Sequence, residues 1–261
     1  RRVDNFEKVR RKGQGFSSTS PSNIKTIIPI SVGEWKDAEP GVVQEDTVAH
    51  CGSTLVGDFV YTLNATDVPT FWNILRGQWN KGQVATQENE EYVRKNLPWT
   101  YVRRHTDTGS EFITHESKKW GDKHSIKLTR SRPYKKNDNP HVEERNGHIV
   151  RKYIGYIRLD FRETVDILNR LYKVLNLYTN HFIASRKTIS NIRVGAVYKR
   201  KYEKATTPYR RVLAHPKISG EVKEKLRLEH EKLSPSVLLK EIERLRHTMY
   251  DIQRKHGSQM S

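Results

Sequence analysis

Residues 41–182 carry a fixed succession of strand and helix patterns, and this order restricts the folds available to the chain. Short apolar or alternating stretches predict three consecutive strands, at residues 42–49, 59–63 and 71–75. The pattern then alternates, with helices at 83–96 and 109–120 and strands at 100–102 and 124–128. Consecutive strands pair most simply as antiparallel hairpins, whereas strands joined through helices pair in parallel. The order therefore predicts an α/β fold with a mixed five-stranded sheet.

Helical patterns dominate the rest of the chain. Residues 140–153 predict a polar helix, and residues 164–182 an amphipathic helix that packs on the core. Residues 221–233 predict a further helix, and Ser234 followed by Pro235 is a typical start of the next one. Apolar residues in that last helix are spaced by four and three positions, at Leu238, Ile242, Leu245, Met249 and Ile252. This seam fits a short coiled coil, but two heptads are few, so a helix hairpin within one chain is favoured.

Composition divides the chain into three parts. Residues 1–37 are basic and then rich in Ser, Pro and Gly, which is typical of a linker, with a short extended piece at 24–30. Residues 38–185 form the predicted α/β core. Residues 186–261 form a basic C-terminal region that ends in the predicted helix hairpin.

The net charge of +18, from 48 Lys and Arg against 30 Asp and Glu, indicates a polyanionic partner, and nucleic acid is the first candidate. A single cysteine, Cys51, excludes an intrachain disulfide and a cysteine zinc site. No stretch approaches the ~18 apolar residues of a membrane-spanning helix, so we expect no membrane partner. A reducing cytosol is the expected compartment.

Three acidic residues lie on separate predicted elements of this basic chain. Asp46 lies within the first strand, Asp107 follows the fourth strand before Gly109, and Glu143 lies on the polar helix, 35 residues beyond Asp107. A carboxylate within a buried strand is costly unless it has a partner. Hard cations such as Mg²⁺ prefer carboxylate oxygens, and two ions ~3.5–4 Å apart can act together on a phosphodiester. The three acids are therefore candidate ligands for two Mg²⁺ or Mn²⁺ ions.

The segments around these acids resemble those of a known family. HTDTGSEF at 105–112 resembles the H-[ST]-D-N-G-x-x-F segment of retroviral-type integrases and bacterial insertion-sequence transposases. PYKKNDNPHVEERNGHIVR at 133–151 is similar to their P-Y-x-x-x-x-N-x-x-V-E-x-x-N segment, and VQEDTVAH at 43–50 to their first catalytic strand. The spacing of 35 residues is also the family's. The resemblance covers about residues 38–185 and is specific as a set.

The resemblance implies an RNase H-like fold with a catalytic and metal-binding triad of Asp46, Asp107 and Glu143. It implies metal-dependent cleavage of DNA ends and strand transfer into target DNA, without a small-molecule substrate. Such enzymes usually work as homo-oligomers on DNA, and the bacterial cytoplasm, at the nucleoid, is the implied location. Thr108 departs from the family's Asn, and we expect tuning of activity rather than loss. Two alternatives remain open: an RNase H-like nuclease that cuts without joining, and a domesticated protein that only binds DNA.

Other acids near the triad have simpler interpretations. Glu144 points about 100° away from Glu143 on a helix, so only one of them faces the site. Glu45 faces opposite Asp46 in a strand. Asp67, before Val-Pro, is typical of a turn or cap. Glu111 is expected in the first turn of the predicted helix at 109–120, where an acidic side chain interacts favourably with the helix dipole.

Basic and polar residues near the triad are candidate DNA contacts. They are Lys127, Arg130, Arg132, Tyr134, Lys135, Lys136, Asn146, His148, Arg151 and Lys152. A second basic tract at 193–211 is a candidate contact for DNA or a partner subunit. The histidines at positions 105 and 141 have two interpretations. Either they contact phosphate or the attacking water, or they are packed or surface residues without a functional role. His50 and Cys51 are adjacent, but further zinc ligands at motif spacing are not evident.

Overall fold

A computed structural model gives the structure of residues 27–32, 35, 37–133, 138–195 and 197–258. Its centre is a five-stranded mixed sheet flanked by helices. The strands are β1 (Val42–Ala49), β2 (Val60–Asp67), β3 (Asn73–Trp79), β4 (Arg103–Thr106) and β5 (Lys127–Arg130). Helix α1 (Gln83–Asn96) connects β3 to β4, and α2 (His115–Lys123) connects β4 to β5.

The strand order across the sheet is β3-β2-β1-β4-β5. The first three strands pair antiparallel, whereas β1 pairs with β4, and β4 with β5, in parallel. The mixed sheet and its pairing predicted from the sequence are thus confirmed. Parallel neighbours have aligned ends, so residues that follow β1 and β4 come together at one edge.

The start of α2 differs from the prediction. Residues 109–113 form turns, in which Phe112 N–H donates to Gly109 O (3.2 Å), and the helix begins only at His115. Thr114 is its N-cap, because the Thr114 side chain accepts from Ser117 N–H. The prediction that Glu111 lies in the first helical turn is therefore wrong.

The segment after β5 leads into two helices, α3 and α4, on one face of the sheet. Helix α3 (Pro140–Arg145) continues as a π-helical segment (Asn146–Arg151) and one last α-helical turn (Lys152–Ile154). Helix α4 (Thr164–Phe182) matches its predicted bounds. The wider π-helical turn brings the consecutive residues Ile149 and Val150 both into the core.

Two hydrophobic clusters lie on opposite faces of the sheet. The first includes Val43 and Leu63 from the strands and Phe112 and Trp120 from the α2 region. The second includes Val48 from β1 together with the inward residues of the π-helical segment and α4, namely Ile149, Val150, Leu168, Leu171, Tyr172 and Leu175. Because β1 contributes alternate residues to the two clusters, the sheet is buried on both faces.

Three asparagines of α4 bind the outer edge of β3. Each accepts from a backbone N–H and donates to the C=O of the same strand residue: Asn169 binds Gly77, Asn176 binds Leu75 and Asn180 binds Asn73. The six donor–acceptor distances range from 2.8 to 3.4 Å. These side chains take the place of a neighbouring strand, so the backbone groups at this edge are satisfied.

The C-terminal region contains strands that the sequence analysis did not predict. Strands β6 (Thr188–Val194) and β7 (Val197–Tyr202) pair antiparallel as a separate two-stranded sheet. Helices α5 (Pro208–Ala214), α6 (Gly220–Glu231) and α7 (Pro235–His256) follow.

The two last helices do not share a core, contrary to the predicted hairpin. Leu226 of α6 belongs to the first cluster, whereas the seam residues Ile242, Leu245 and Met249 of α7 belong to the second, beside α4. The amphipathic α4 presents a longer apolar face than α6, so the seam of α7 packs on α4 within the chain.

Part of the predicted linker at 1–37 lies in the structure. Ile28 is buried, and Ile30 forms a parallel bridge with Arg130 of β5. The described piece of the predicted extended segment therefore lies against the sheet, while residues 1–26 are outside the described residues. Within the part that the structure covers, no helix has the length and apolar character to cross a membrane.

The Asn180→Leu variant tests the contribution of the asparagine contacts at the β3 edge. Leucine has a similar volume but leaves the N–H and C=O of Asn73 without their partner, so we expect a loss of about 2–4 kcal/mol in the free energy of unfolding. Urea unfolding followed by circular dichroism measures it. Lys173→Leu, on the exposed face of the same helix, is the control and is expected to change stability by less than about 0.5 kcal/mol. Equal stability of the Asn180→Leu variant and the native chain would show that the Asn180 side chain does not stabilise the β3 edge.

Candidate active site

The register between β1 and β4 places Asp46 beside Asp107. Glu45 pairs with Thr106 in the parallel ladder, so the next residue on each strand is an aspartate. Neighbouring strands lie about 4.8 Å apart, and aligned residues in a parallel pair point to the same face. Both aspartates are half-buried, and they form a pair of like charges at one edge of the sheet.

Asp46 is held by two hydrogen bonds. Its Oδ1 accepts from Thr47 N–H (2.8 Å), and its Oδ2 accepts from Asn146 Nδ2 (2.7 Å). Burial, and after it the negative charges of Asp107 and Glu143, raise the pKa of the Asp46 carboxyl to about 7, against the two hydrogen bonds. The charged form of this carboxyl is therefore disfavoured mainly by loss of solvent and also by like charge.

Glu143 lies on α3, which faces the two aspartates. Its side chain is exposed, and its charge acts on Asp46. The next residue, Glu144, interacts instead with the charge of Arg145. Within the described residues, no three His, Cys, Asp or Glu side chains converge closely enough to hold a metal ion. The structure thus places two acids side by side and the third within electrostatic reach.

Gln44, on the same face of β1 as Asp46, fixes the start of α3. Its Oε1 accepts from the backbone N–H groups of His141 (2.9 Å) and Val142 (3.3 Å), which have no partner within the first helical turn. Asn139 Nδ2 adds a bond to Glu45 O (3.1 Å). These contacts tie the helix that carries Glu143 to the strand that carries Asp46.

A chain of asparagine side chains fixes the orientation of the Asn146 amide. Asn73 Nδ2 donates to Asn64 Oδ1, Asn64 Nδ2 donates to Asn146 Oδ1 (2.7 Å), and Asn146 Nδ2 donates to Asp46. Because the carbonyl of Asn146 already accepts from Asn64, its NH₂ group is the one that faces the carboxylate. The sequence analysis proposed Asn146 as a DNA contact and did not include Asn64, because the predicted second strand ended at residue 63, whereas β2 extends to Asp67.

Glu111 lies beneath the turn that carries Asp107. The Glu111 side chain is 1% exposed, and Oε1 accepts from Thr47 Oγ1 (3.0 Å) and pairs with Lys81 Nζ (2.8 Å). A Cβ on Gly109 would lie 2.6 Å from Glu111 Oε2, so the turn needs glycine at this position. Asp107 also accepts from Gly109 N–H (2.8 Å), which closes the turn. Sequence reasoning missed Lys81 because it comes from the distant β3–α1 connection.

The opposite face of β1 buries a second group of charges. Glu45 faces away from Asp46 as expected, and it is fully buried, where it accepts from Tyr101 Oη (2.9 Å). Beside it, buried Arg104 forms an ion pair with Glu90. Burial raises the pKa of Glu45, against the nearby charge of Arg104.

The histidines near the acids are packed. His50 bonds Thr62 Oγ1 (2.7 Å), and His105 bonds Thr129 (3.0 Å) and Ser131 (3.1 Å). Burial lowers the pKa of His50 to about 3 and that of His105 to about 4. His141 is half-buried against Phe71, and burial lowers its pKa to about 4.

Asp67 has the turn role that the sequence predicts. Its carboxylate accepts from Gly41 N–H (2.7 Å), from Thr70 N–H (3.1 Å) and from the Thr70 hydroxyl. It is 1% exposed, and these bonds bind the turn after β2 to the chain before β1.

The candidate DNA contacts are in different settings. Lys127, His148 and Lys152 are exposed. Arg130 donates to Ile28 O (3.0 Å), Arg132 pairs with Asp138 (2.8 Å), and Arg151 donates to Ala49 O (2.9 Å). Tyr134, Lys135 and Lys136 lie outside the described residues.

No family model matches the chain. It is 34% identical over 206 residues to the uncharacterized protein y4rM of Sinorhizobium fredii (strain NBRC 101917 / NGR234). The match covers 78% of this chain and 58% of the relative, so the chain spans less than two thirds of that protein's length. This similarity carries no information on activity.

The raised pKa of Asp46 gives a test of the site by stability. The unfolded chain releases this proton near the ordinary pKa of ~3.9, whereas the folded chain keeps it to about 7, so the contribution to stability is largest below pH 4 and is lost as the pH rises to 7. Without divalent cations, Asp46→Asn should therefore stabilise the chain by on the order of 2–4 kcal/mol at pH 8 relative to pH 4.

Urea unfolding of both proteins at pH 4 and pH 8 in EDTA measures this difference. Asp122→Asn, at an exposed position of α2, is the control and should show the same pH dependence as the native chain. If Asp46→Asn also follows the native pH dependence, the pKa of the Asp46 carboxyl is not raised in the folded chain.

Proposed function

We propose that this chain is the RNase H-like catalytic core of a DNA transposase or integrase. In this proposal it cleaves DNA at the ends of a mobile element and joins the freed ends to target DNA. The observation that carries the proposal is the parallel β1–β4 register, which sets Asp46 beside Asp107 with Glu143 on the facing helix. The strand order β3-β2-β1-β4-β5 and the two matching sequence segments support the same assignment.

The acids have the chemistry of a divalent-cation site. Hard cations take carboxylate oxygens, and a bound cation would offset both the burial and the like charges that raise the pKa of Asp46. Asp46, Asp107 and Glu143 would hold Mg²⁺ or Mn²⁺, with the exposed Glu143 carboxylate turning toward the two aspartates. When bound, two such ions activate the attacking oxygen and stabilise the leaving oxygen of a phosphodiester.

The surrounding residues orient these acids. Asn146 holds one oxygen of Asp46, and Glu111 with Lys81 supports the turn that carries Asp107. Gln44 fixes the helix of Glu143 against β1. The net charge of +18 suits a DNA substrate, because each neutralised phosphate releases condensed counterions. Action as a homo-oligomer at the bacterial nucleoid follows from the same proposal.

Conservative amide variants test the triad. Asp46→Asn, Asp107→Asn and Glu143→Gln remove a metal-binding charge with little change in shape, so each should reduce catalysis by roughly 100-fold or more. Glu144→Gln is the matched control and should stay within about threefold of native activity. Nicking of supercoiled plasmid in Mg²⁺ or Mn²⁺ measures cleavage, and joining of a labelled oligonucleotide with a free 3′-hydroxyl to that plasmid measures strand transfer.

The two assays also separate the alternatives. Nicking without joining would identify a nuclease, and binding without either reaction would identify a DNA-binding protein. Loss of activity in Glu144→Gln with retention in Glu143→Gln would overturn the assignment of the third acid.

A further inference from the structure

Strands β6 and β7 form a ribbon (Thr188–Val194 and Val197–Tyr202) that stands apart from the core. Of its described residues, none belongs to either hydrophobic cluster. Three large apolar side chains of the ribbon are exposed: Ile189 by 58%, Ile192 by 62% and Tyr202 by 46%. An isolated two-stranded hairpin is only marginally stable in water, and exposed apolar groups of this size mark contact surfaces. The ribbon therefore has the features of an element that gains a partner.

The charge of the ribbon identifies the chemistry of that partner. It carries four cations, Arg193, Lys199, Arg200 and Lys201, and its sequence contains no Asp or Glu. Lys199 lies opposite Ile192, and Lys201 opposite Ser190, on one face. Side chains alternate along a strand, so Arg200 and Arg193 lie on the other face. Both faces of the ribbon are positive, which suits a partner that surrounds it with negative charge.

The base of the ribbon is fixed to the helix that carries Glu143. Ser185 and Thr206 form a backbone bridge where the two strands meet the core, and Arg145 of α3 donates to Ser185 Oγ (2.7 Å). Arg211 Nη2 donates to Ser185 O (2.7 Å). The cations of Arg145, Lys187 and Arg211 all lie over the Phe71 ring, 4.7, 4.9 and 5.2 Å from its centroid. The base of the ribbon is therefore held by Arg145, which lies two residues after Glu143 in the sequence.

We propose that the ribbon inserts into the major groove of duplex DNA and directs that duplex past the candidate active site. The major groove admits a two-stranded β-ribbon, and its walls are lined by phosphates on both sides. Cations on both faces then contact the two phosphate backbones, while Ile192, on the face that carries Lys199 and Lys201, meets base edges such as thymine methyl groups. The direction of the duplex rests on the proposed function, whereas binding itself does not involve the three acids.

Binding of the whole chain to a fluorescein-labelled duplex of about 30 base pairs, roughly three helical turns, tests the proposal by fluorescence anisotropy over a range of salt. The ribbon variant combines Lys199→Gln, Arg200→Gln and Lys201→Gln. We expect its affinity to fall by about tenfold or more and the slope of log K against log salt to decrease by roughly 2–3, because three phosphate contacts are lost. The control variant removes three exposed lysines elsewhere, by Lys232→Gln, Lys240→Gln and Lys255→Gln, and should keep the native slope. Circular dichroism melting checks that both variants fold.

Blocking either the major or the minor groove of the duplex tests which groove the ribbon enters. A duplex whose cytosines carry bulky glucosyl groups in the major groove should lose affinity for the native chain, whereas netropsin in the minor groove should leave binding unchanged. Equal slopes for the ribbon and control variants would overturn the proposal, and so would unchanged binding to the filled duplex. Normal DNA binding with loss of self-association in light scattering would show a protein contact instead and would also overturn it.

The same experiment repeated with Asp107→Asn separates this inference from the proposed function. Ribbon-dependent binding in that variant supports the groove contact whatever the outcome of the cleavage assay. Conversely, the native chain could cleave and join DNA while the ribbon variant binds DNA with native affinity. In that case the proposed function stands, and the ribbon is not the DNA contact.

Discussion

Parallel pairing between β1 and β4 is the constraint on which the candidate site depends. The ladder aligns Glu45 with Thr106, and this one register makes the next residues, Asp46 and Asp107, neighbours on the same face. A shift of one residue would turn either aspartate to the other face, where Glu45 and Arg104 are buried. The buried charges of that second face favour the observed register, because each of them needs its partner. The relative positions of Asp46 and Asp107 are therefore fixed by packing on the opposite face of the sheet.

The sequence was sufficient to predict the parts of the fold that depend on local patterns. The order of strands and helices along the chain, the mixed pairing and the bounds of β1, α1 and α4 follow from periodicity and from which segments are separated by helices. Boundaries near turns were less accurate, since α2 begins at His115 only after a turn closed by Gly109 and an N-cap at Thr114. That turn buries Glu111, which a helical pattern would have placed at a helix start.

Contacts between distant segments were beyond sequence reasoning. Asn146, which donates to Asp46, lies 100 residues away in the sequence, and Lys81 reaches Glu111 from the β3–α1 connection. Gln44, a polar residue within a predicted strand, was the available signal, because a buried polar side chain requires a partner. The ribbon of β6 and β7 had a weaker signal still, since its alternation is interrupted by the left-handed Gly195 and most of its side chains are charged or polar.

The asparagines of α4 have a consequence for how this chain can assemble. A free strand edge invites another strand to add to the sheet, which leads either to β-sheet dimers or to aggregates. At β3 that route is closed, because Asn169, Asn176 and Asn180 already occupy its backbone groups. Two copies of the chain that come close together are thus kept from merging their sheets at this edge. Any subunit contact there must form through helix surfaces, whose charges and side chains select the partner and allow the assembly to come apart.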